Sequence, residues 1–416
     1  MHQPHALTTE RTLMMTSTNQ SFEGSAGDSE SPAVPAANRH YPGLDGLRAL
    51  AFLVVFSVHL TPPVVDELWG PMTGGYLGLD LFFVLSGFLI TTILLSEYFR
   101  TGRVNLKKFY LRRSIRLLPA ILVFVVAVFI LSYSETVFRA TGADSRRQAL
   151  GSLSYFYNWI AIYSTNRGNN VGFIGALWSL SVEEQFYLIF PATLLFGLYR
   201  GSRKAAANGP ISKSSARDRL KPVVKVLLIA LVISNVLMTT IGWLFERSDS
   251  YERAMWGTDT RASGFILGAL AAIVRIGYPE LYGRIRPHLR WLTPICFVFF
   301  TAACFAYPER PNTFPFAGGI LLADLSVVVL VLAAVEGKTR WFSFLMELRP
   351  LRWIGKVSYG AYVVHYMLVW RFFYKDPTFF RFAYPKILAM TLVLAAVSFY
   401  GIERPLARTL RRRWEL

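Results

Sequence analysis

The sequence predicts an all-α protein, a polytopic membrane bundle of about ten transmembrane helices with both termini in the cytoplasm. Composition is the first reason. The 416-residue chain is 53% hydrophobic and 17% charged, whereas soluble domains have roughly 25% charged residues. Patterning is the second reason, since apolar runs such as LLPAILVFVVAVFILSYS carry almost no charge. About 20 apolar residues span a bilayer core, so each run predicts a membrane helix.

Ten segments of this kind are expected to cross the membrane. Their approximate bounds are 47–65, 76–98, 117–134, 175–199, 223–245, 260–277, 291–307, 315–335, 353–374 and 384–402. Lysine and arginine collect in alternate connections, among them RTGRVNLKKFYLRRSIR, and are scarce in the others. Basic connections mark the cytoplasmic side. The pattern therefore predicts a multi-pass protein of the cell membrane (plasma or inner) whose two ends face the cytoplasm.

The chain divides into one membrane domain and two tails. We expect residues 1–40 to be a disordered cytoplasmic tail, because they are rich in small and polar residues. Residues 41–408 form the membrane domain, and 409–416 form a basic cytoplasmic tail. The short aromatic segment 151–165 is predicted to be interfacial or re-entrant, because a further span there would place the basic stretch 200–222 outside.

The net charge of +18 does not indicate a nucleic-acid-binding protein. The basic residues are interleaved with membrane spans and do not form one face, so the lipid bilayer is the expected partner. Cys296 and Cys304 lie in one apolar segment, where packing is the simplest interpretation. No metal site is predicted.

Ionisable residues inside membrane spans are costly and usually mark a functional path. In the first span, Arg48 and His59 lie eleven positions apart, so they share a helix face to within roughly 20°. Asp45 lies three residues before Arg48, is adjacent on that face if the helix starts early, and is predicted to bind substrate. Histidine is a natural general base near neutral pH. The alternative is that His59 only bonds a neighbouring helix.

Two further groups of charges lie on the second and third spans. Asp80 is near the outer end of the second span, where it either binds substrate or has a structural role. Arg112, Arg113 and Arg116 are placed at the cytoplasmic mouth of the third span. Arginine is suited to phosphate, although basic residues at this position also bind lipid headgroups.

The fourth and sixth spans begin with polar residues. In GALWSLSVEEQFYLIFP, Ser181 and Gln185 share one helix stripe, and Glu183 is nearby. These residues predict either a buried site or a polar network that only holds helices together. Asp259 and Arg261 at the start of the sixth span form either a simple ion pair or an acceptor-binding gate.

The ninth span contains Tyr362 and His365, which lie on one face with Ser358 at spacings of i, i+4 and i+7. This face is expected near the middle of the bilayer. Because His59 is also predicted inside the membrane, the two histidines are expected to face a common internal cavity.

Taken together, these segments resemble the acyltransferase-3 family of integral membrane O-acyltransferases. The first segment has the family's Arg/Lys-x10-His spacing. Seven segments carry the resemblance, in family order across about 40–408: GLDGLRALAFLVVFSVH, GLDLFFVLSGFLI, FYLRRSIRLLPA, LWSLSVEEQFYLIFP, TDTRASGFILG, IGKVSYGAYVVHYML and IERPLAR. A small departure is Leu79, which stands where valine is commoner.

The resemblance implies roles for several residues. His59 corresponds to the essential histidine and Arg48 to its motif partner. Arg112, Arg113 and Arg116 correspond to the basic motif thought to meet the acyl donor. Other family positions, with less settled roles, are matched by Glu183, Gln185, Arg261, His365 and Glu403.

The resemblance also implies a reaction. Family members move an acyl group, often acetyl, from acyl-CoA to a hydroxyl of an envelope sugar, glycolipid or polysaccharide. Some relatives instead acylate macrolide-type natural products, and that acceptor remains an alternative. A transporter or flippase of an anionic lipid or metabolite is the alternative from another class, although the internal repeats typical of transporters are not found in this sequence. Thioester chemistry needs a base and a stabilised oxyanion, which His59 and a nearby donor would supply.

Overall fold

The computed structural model describes residues 40–59, 72–134, 142–165, 172–206, 213–248, 251–307, 314–372 and 380–414. Within these ranges the chain is helical with short connections and contains no β-strand, so the predicted all-α class is confirmed. The predicted N-terminal tail lies outside the described residues except for His40.

The α-helices vary in length from 6 to 36 residues. Their bounds are α1 Pro42–His59, α2 Leu77–Thr101, α3 Leu106–Ser134, α4 Gly142–Leu153, α5 Tyr157–Thr165, α6 Trp178–Ala206, α7 Lys213–Ser248, α8 Tyr251–Trp256, α9 Ser263–Gly277, α10 Pro279–Ile285, α11 Leu289–Ala306, α12 Ile320–Glu336, α13 Arg340–Met346, α14 Arg349–Phe372, α15 Phe380–Ser398 and α16 Arg404–Arg413. Short 3₁₀ segments at Gly172–Leu177 and Arg286–His288 and π segments at Pro315–Gly319 and Phe399–Glu403 connect some of them.

Seven helical stretches in the described ranges are long and apolar enough to cross a membrane. They are Pro42–His59, Leu77–Thr101, Leu106–Leu131, Arg217–Leu244, Pro279–Ala306, Pro315–Glu336 and Tyr384–Arg413. The chain is therefore a multi-pass membrane protein. The 15-residue α9 is apolar but shorter, and the long helices α6 and α14 carry many of the polar residues of the predicted site. The count of ten spans and the location of the termini stay predictions.

Three boundaries differ from the sequence prediction or refine it. Helix α3 begins at Leu106, eleven residues before the predicted span, because Arg113 finds carboxylate partners inside the bundle and the helix need not end at the apolar run. Helix α16 continues to Arg413 through the start of the predicted tail. In the segment predicted to be interfacial, α5 has nine residues and is roughly 14 Å long, too short to cross a bilayer.

The packing of α1 against α14 positions the polar residues of both helices. At Gly355 of α14, a Cβ atom would overlap the backbone carbonyl of Asp45 on α1. Small residues allow helix backbones to approach this closely. Since Asp45 lies beside Gly355 and His59 lies beside His365, the two helices run in the same direction.

We expect Gly355→Ala to lower the thermal midpoint of unfolding, because the added methyl group forces the two backbones apart. Overpacking of this kind typically costs about 1–3 kcal/mol. The midpoint is measured on detergent-solubilised protein by fluorescence-detected size exclusion. Gly283→Ala is the matched control, since a Cβ there meets no atom of the described residues within 4 Å. A midpoint for Gly355→Ala equal to that of the control would contradict the close-approach interpretation.

Candidate active site

Two histidines from different helices form a hydrogen-bonded pair. His59 is the last residue of α1 and His365 lies in the second half of α14. The Nδ1 atom of His59 is 3.0 Å from the Nε2 atom of His365, and the Nδ1 atom of His365 is 2.6 Å from the carbonyl oxygen of Tyr362. His365 is fully buried and His59 is half-buried. The expected proximity of the two histidines is observed.

The carbonyl of Tyr362 fixes the tautomers of this histidine pair. A carbonyl oxygen can only accept, so the Nδ1 atom of His365 carries a proton and donates it. The Nε2 atom of the neutral His365 ring then accepts from the Nδ1–H group of His59. Neutral His59 is then left with an unprotonated Nε2. The pair therefore presents a lone pair suited to accept a proton.

An inner cavity of about 220 Å³ lies in the bundle beside the histidine pair. Helices α1, α2, α3, α6 and α14 contribute its polar lining, which comprises Arg48, Ser86, Arg113, Arg116, Ser179, Glu183, Tyr187, Ser358, Tyr359 and Tyr362. Neither histidine is among the described residues of the lining. Instead, Tyr362 lines the cavity and its ring lies 5.2 Å from the ring of His365. A cavity lined by both histidines was expected. In the structure the inner cavity reaches Tyr362, and this residue lies between the cavity and the histidine pair.

Glu183 is the carboxylate of the inner cavity. The hydroxyl of Ser86 donates to it, and the hydroxyl of Tyr187 contacts both groups. The guanidinium of Arg113 lies 3.7 Å from Glu183 and 3.8 Å from Glu184. These partners hold Glu183 at the cavity wall. Its position is therefore compatible both with a role in a buried site and with a polar network that only holds helices together.

The three arginines of α3 have different environments. Arg113 is engaged by the two glutamates and packs over the ring of Tyr187. The side chain of Arg116 is exposed because it lines both the inner cavity and a second, adjacent cavity between α3, α14 and α16. Arg112 is exposed and lines neither of them. The basic motif therefore brings two of its three arginines into the interior.

Arg48 faces the inner cavity and is held in place by Asp45. Its Nη1 atom donates to the Oδ1 atom of Asp45 at 2.9 Å, and His40 contacts the other carboxylate oxygen at 2.9 Å. Asp45 itself is buried and does not line the cavity. We infer that Asp45 orients Arg48, while its predicted contact with substrate stays a prediction.

Asp80 and Arg261 form a fully buried ion pair with a distance of 2.8 Å between Oδ2 and Nη2. Asp324, also fully buried, accepts from Ser263 at 2.6 Å and interacts electrostatically with both members of the pair. The Oδ1 atoms of Asp80 and Asp324 and two nitrogens of Arg261 have no partner within the described part of the chain. Two carboxyl groups thus share one guanidinium away from the inner cavity, an arrangement typical of a structural network.

Three further predicted substrate residues, Gln185, Asp259 and Ser181, also lie away from the inner cavity. Gln185 donates to the Tyr155 carbonyl at 2.6 Å and to Asn158 at 2.9 Å, and it accepts from Thr258 at 2.6 Å. Asp259 is engaged by both terminal nitrogens of Arg253. Ser181 is buried. These residues join α5 and α6 to the segment before α9, and their predicted roles in substrate binding stay predictions.

Five polar residues of the cavity lining are not among the predicted site residues: Ser86, Ser179, Tyr187, Ser358 and Tyr359. Tyr187 lies four residues after Glu183, so helical spacing would have placed it on the same face. The hydroxyl of Ser179 bonds that of Tyr362 from another helix, and Tyr359 donates to the Leu117 carbonyl at 3.2 Å. These last two contacts join helices that are distant in sequence, and no local pattern indicates them.

Comparison with protein-family models identifies the family of this chain. The model of a family described as an acyltransferase domain matches residues 41–400. The chain belongs to the acyltransferase-3 family. Six of the seven motifs that carry the resemblance begin inside the matched region, and the seventh, IERPLAR, begins at Ile402, just after it.

Curated relatives are similar to this chain over most of its length. The putative peptidoglycan O-acetyltransferase YrhL of Bacillus subtilis (strain 168) is 32% identical over 383 residues, which cover 89% of this chain and 55% of the relative. The peptidoglycan O-acetyltransferase OatA of Listeria monocytogenes is 32% identical over 398 residues, covering 89% and 56%. The O-acetyltransferase OatA of Staphylococcus aureus (strain NCTC 8325 / PS 47) is 30% identical over 387 residues, covering 89% and 58%. The chain thus spans little more than half the length of these relatives. No solved structure matches it.

We expect Arg261→Gln to destabilise the protein more than Asp80→Asn does. Removing one partner of a buried ion pair costs about 3–5 kcal/mol, and Arg261→Gln leaves both Asp80 and Asp324 without their shared cation. Thermal midpoints of the two single variants and of the double variant measure the difference. The double variant should be more stable than Arg261→Gln alone. If Asp80→Asn is the more harmful single change, the shared-guanidinium interpretation is wrong.

Proposed function

We propose that this protein is a membrane O-acyltransferase that moves an acyl group, most simply acetyl, from acyl-CoA to a hydroxyl of a cell-wall or other envelope glycan. Family membership and the names of the relatives support the reaction class and the glycan acceptor. The observation that carries the proposal is the histidine pair, which leaves an unprotonated Nε2 on His59 and is separated by Tyr362 from an interior cavity lined by three arginines.

His59 acts as the general base in this proposal. Its Nε2 atom takes the proton from the acceptor hydroxyl, whose oxygen attacks the thioester carbonyl carbon. A carbon–oxygen bond forms, the carbon–sulfur bond breaks, and the same proton passes from His59 to the departing CoA thiolate. His365 does not touch the reacting atoms. It positions His59 and stabilises the imidazolium, as an orienting group does in hydrolase triads.

The inner cavity receives the acyl-bearing arm of the donor. Its lining combines aromatic and aliphatic side chains with the guanidinium groups of Arg48, Arg113 and Arg116. Positioned cations stabilise negative charge that develops on a carbonyl oxygen, and they do so most strongly where water is excluded. Because Tyr362 separates the cavity from the histidine pair, this ring must move when the acyl group reaches His59.

The acceptor approaches from the other end of α1. Arg48 lies in the first half of that helix and His59 is its last residue, roughly 16 Å further along the axis. A donor that enters from the arginine side and an acceptor that arrives at the His59 end would therefore meet from opposite directions. Such an arrangement suits transfer of a group from the cytoplasm to a glycan outside the membrane.

We expect His59→Ala to lower kcat by at least 100-fold, because general bases typically contribute 10²–10⁴-fold. Transfer of labelled acetyl from acetyl-CoA to envelope glycan is measured in membranes with matched expression. His365→Gln should retain more activity than His365→Phe, since the glutamine oxygen can still accept from His59, and neither change should alter KM for acetyl-CoA. The exposed His288 serves as the control through His288→Ala. Full turnover by His59→Ala would overturn the base assignment.

We expect Arg116→Gln to raise KM for acetyl-CoA about tenfold or more, because a charged contact to the donor is worth roughly 1.4 kcal/mol or more. Arg112→Gln provides the matched control, since Arg112 is on the same helix and lines neither cavity. Steady-state kinetics with each substrate varied in turn separates donor from acceptor effects. Equal KM values for the two variants would remove Arg116 from the donor site.

A further inference from the structure

A second cavity, the basic vestibule, lies next to the inner cavity where α16 meets α3 and α14. Its volume is about 320 Å³, within the roughly 300–1,000 Å³ of small-molecule sites. Five cationic side chains line it, namely Arg116, Lys356, Arg404, Arg408 and Arg411. Glu403 is the one carboxylate among the described lining residues, and it accepts from Ser398 at 2.8 Å.

Four of the vestibule cations form no ion pair in the part of the chain that the structure describes. Within the described ranges, no carboxylate lies within ion-pair distance of Lys356, Arg404, Arg408 or Arg411. The three vestibule arginines of α16 are spaced at i, i+4 and i+7, so they share one helix face. Five cations gathered in a concave site with one carboxylate, Glu403, create a strong positive potential. The vestibule is therefore built to receive a polyanion.

The vestibule and the inner cavity share three lining residues, Arg116, Ser358 and Tyr359. A ligand that occupies one cavity therefore lies next to the other. Along α14, Lys356 in the vestibule precedes Tyr362 at the far end of the inner cavity by six residues, or roughly 9 Å. A ligand with an anionic head and a long flexible arm matches this pair of cavities.

We propose, building on the proposed function, that the basic vestibule binds the 3′-phosphate and diphosphate of CoA while the inner cavity holds its acyl-bearing arm. This inference assigns most of the phosphate contacts to the terminal helix and leaves Arg116 as the one contributor from the α3 motif, because Arg113 is engaged by glutamates and Arg112 lies outside both cavities. Arginine forks bind phosphate oxygens in a bidentate manner. Discrimination between CoA and phosphate-free thioesters then resides in α16.

The test measures direct binding by the full chain in phosphatidylcholine nanodiscs, with CoA, 3′-dephospho-CoA and pantetheine as probes. Arg408→Gln with Arg411→Gln removes two vestibule cations. Arg412→Gln with Arg413→Gln removes two charges from the same helix that do not line the vestibule, and it is the matched control. We expect the first pair to weaken CoA binding at least tenfold, to leave pantetheine binding unchanged, and to reduce the preference for CoA over 3′-dephospho-CoA. The control should stay within about twofold of the unmodified protein.

Three results would overturn the proposal. One is CoA binding by the vestibule variant that matches the unmodified protein, and another is an equal loss in both pairs, which indicates only surface charge. The third is a loss of co-purified anionic lipid, measured by native mass spectrometry after phosphatidylglycerol exposure, with CoA affinity intact. That outcome assigns the vestibule to lipid headgroups.

Acetyl transfer by the unmodified protein is measured in parallel. This measurement distinguishes a failure of the vestibule inference from a failure of the proposed acyltransferase function. Transfer that persists without any dependence of CoA binding on the vestibule rejects this inference alone. Absence of both transfer and CoA binding in the unmodified protein rejects the CoA donor and the vestibule together.

Discussion

The backbone contact between α1 and α14 is the constraint on which the candidate site depends. Gly355 allows α14 to reach the backbone of Asp45, and the two helices then run side by side to the histidine pair. The same packing directs Arg48 into the inner cavity while Asp45 holds its guanidinium. A wider separation would break the 3.0 Å contact between His59 and His365, leaving His59 without the partner that fixes its tautomer.

The polar residues of the helical bundle divide into those that line a cavity and those that only bond each other. Arg48, Arg116 and Glu183 belong to the first group, since each lines a cavity. The pair of Asp80 and Arg261 belongs to the second, and it is fully buried. Structural networks of charge are expensive in an apolar interior, and here the network joins α2, which lines the inner cavity, to α9 and α12, which do not. The network thereby ties one wall of the cavity to helices outside it.

The helical membrane fold and the family could be predicted because apolar runs and short motifs, which are local features of the sequence, are enough to indicate them. The eleven-residue spacing places Arg48 and His59 on one helix face whatever the partners are, and the proximity of His59 to His365 follows once α1 and α14 pack. Gln185 was grouped with Glu183 because the two residues are close together on one helix. In the structure, however, Gln185 bonds Asn158 and Thr258 away from the cavity. Which polar residue meets a cavity depends on contacts between distant segments, and residue spacing within one helix does not contain that information.

The ion pair between Asp80 and Arg261 has a consequence for biosynthesis. The two residues are 181 positions apart, so at about 5–20 residues per second roughly 10–40 s of translation separate them. During that interval α2 must reside in the bilayer with a carboxyl group whose guanidinium has not yet been made. The growing chain therefore passes through a stage in which the Asp80 carboxyl group in α2 has no ion-pair partner. That stage ends when Arg261, just before α9, has been synthesised and packs against α2.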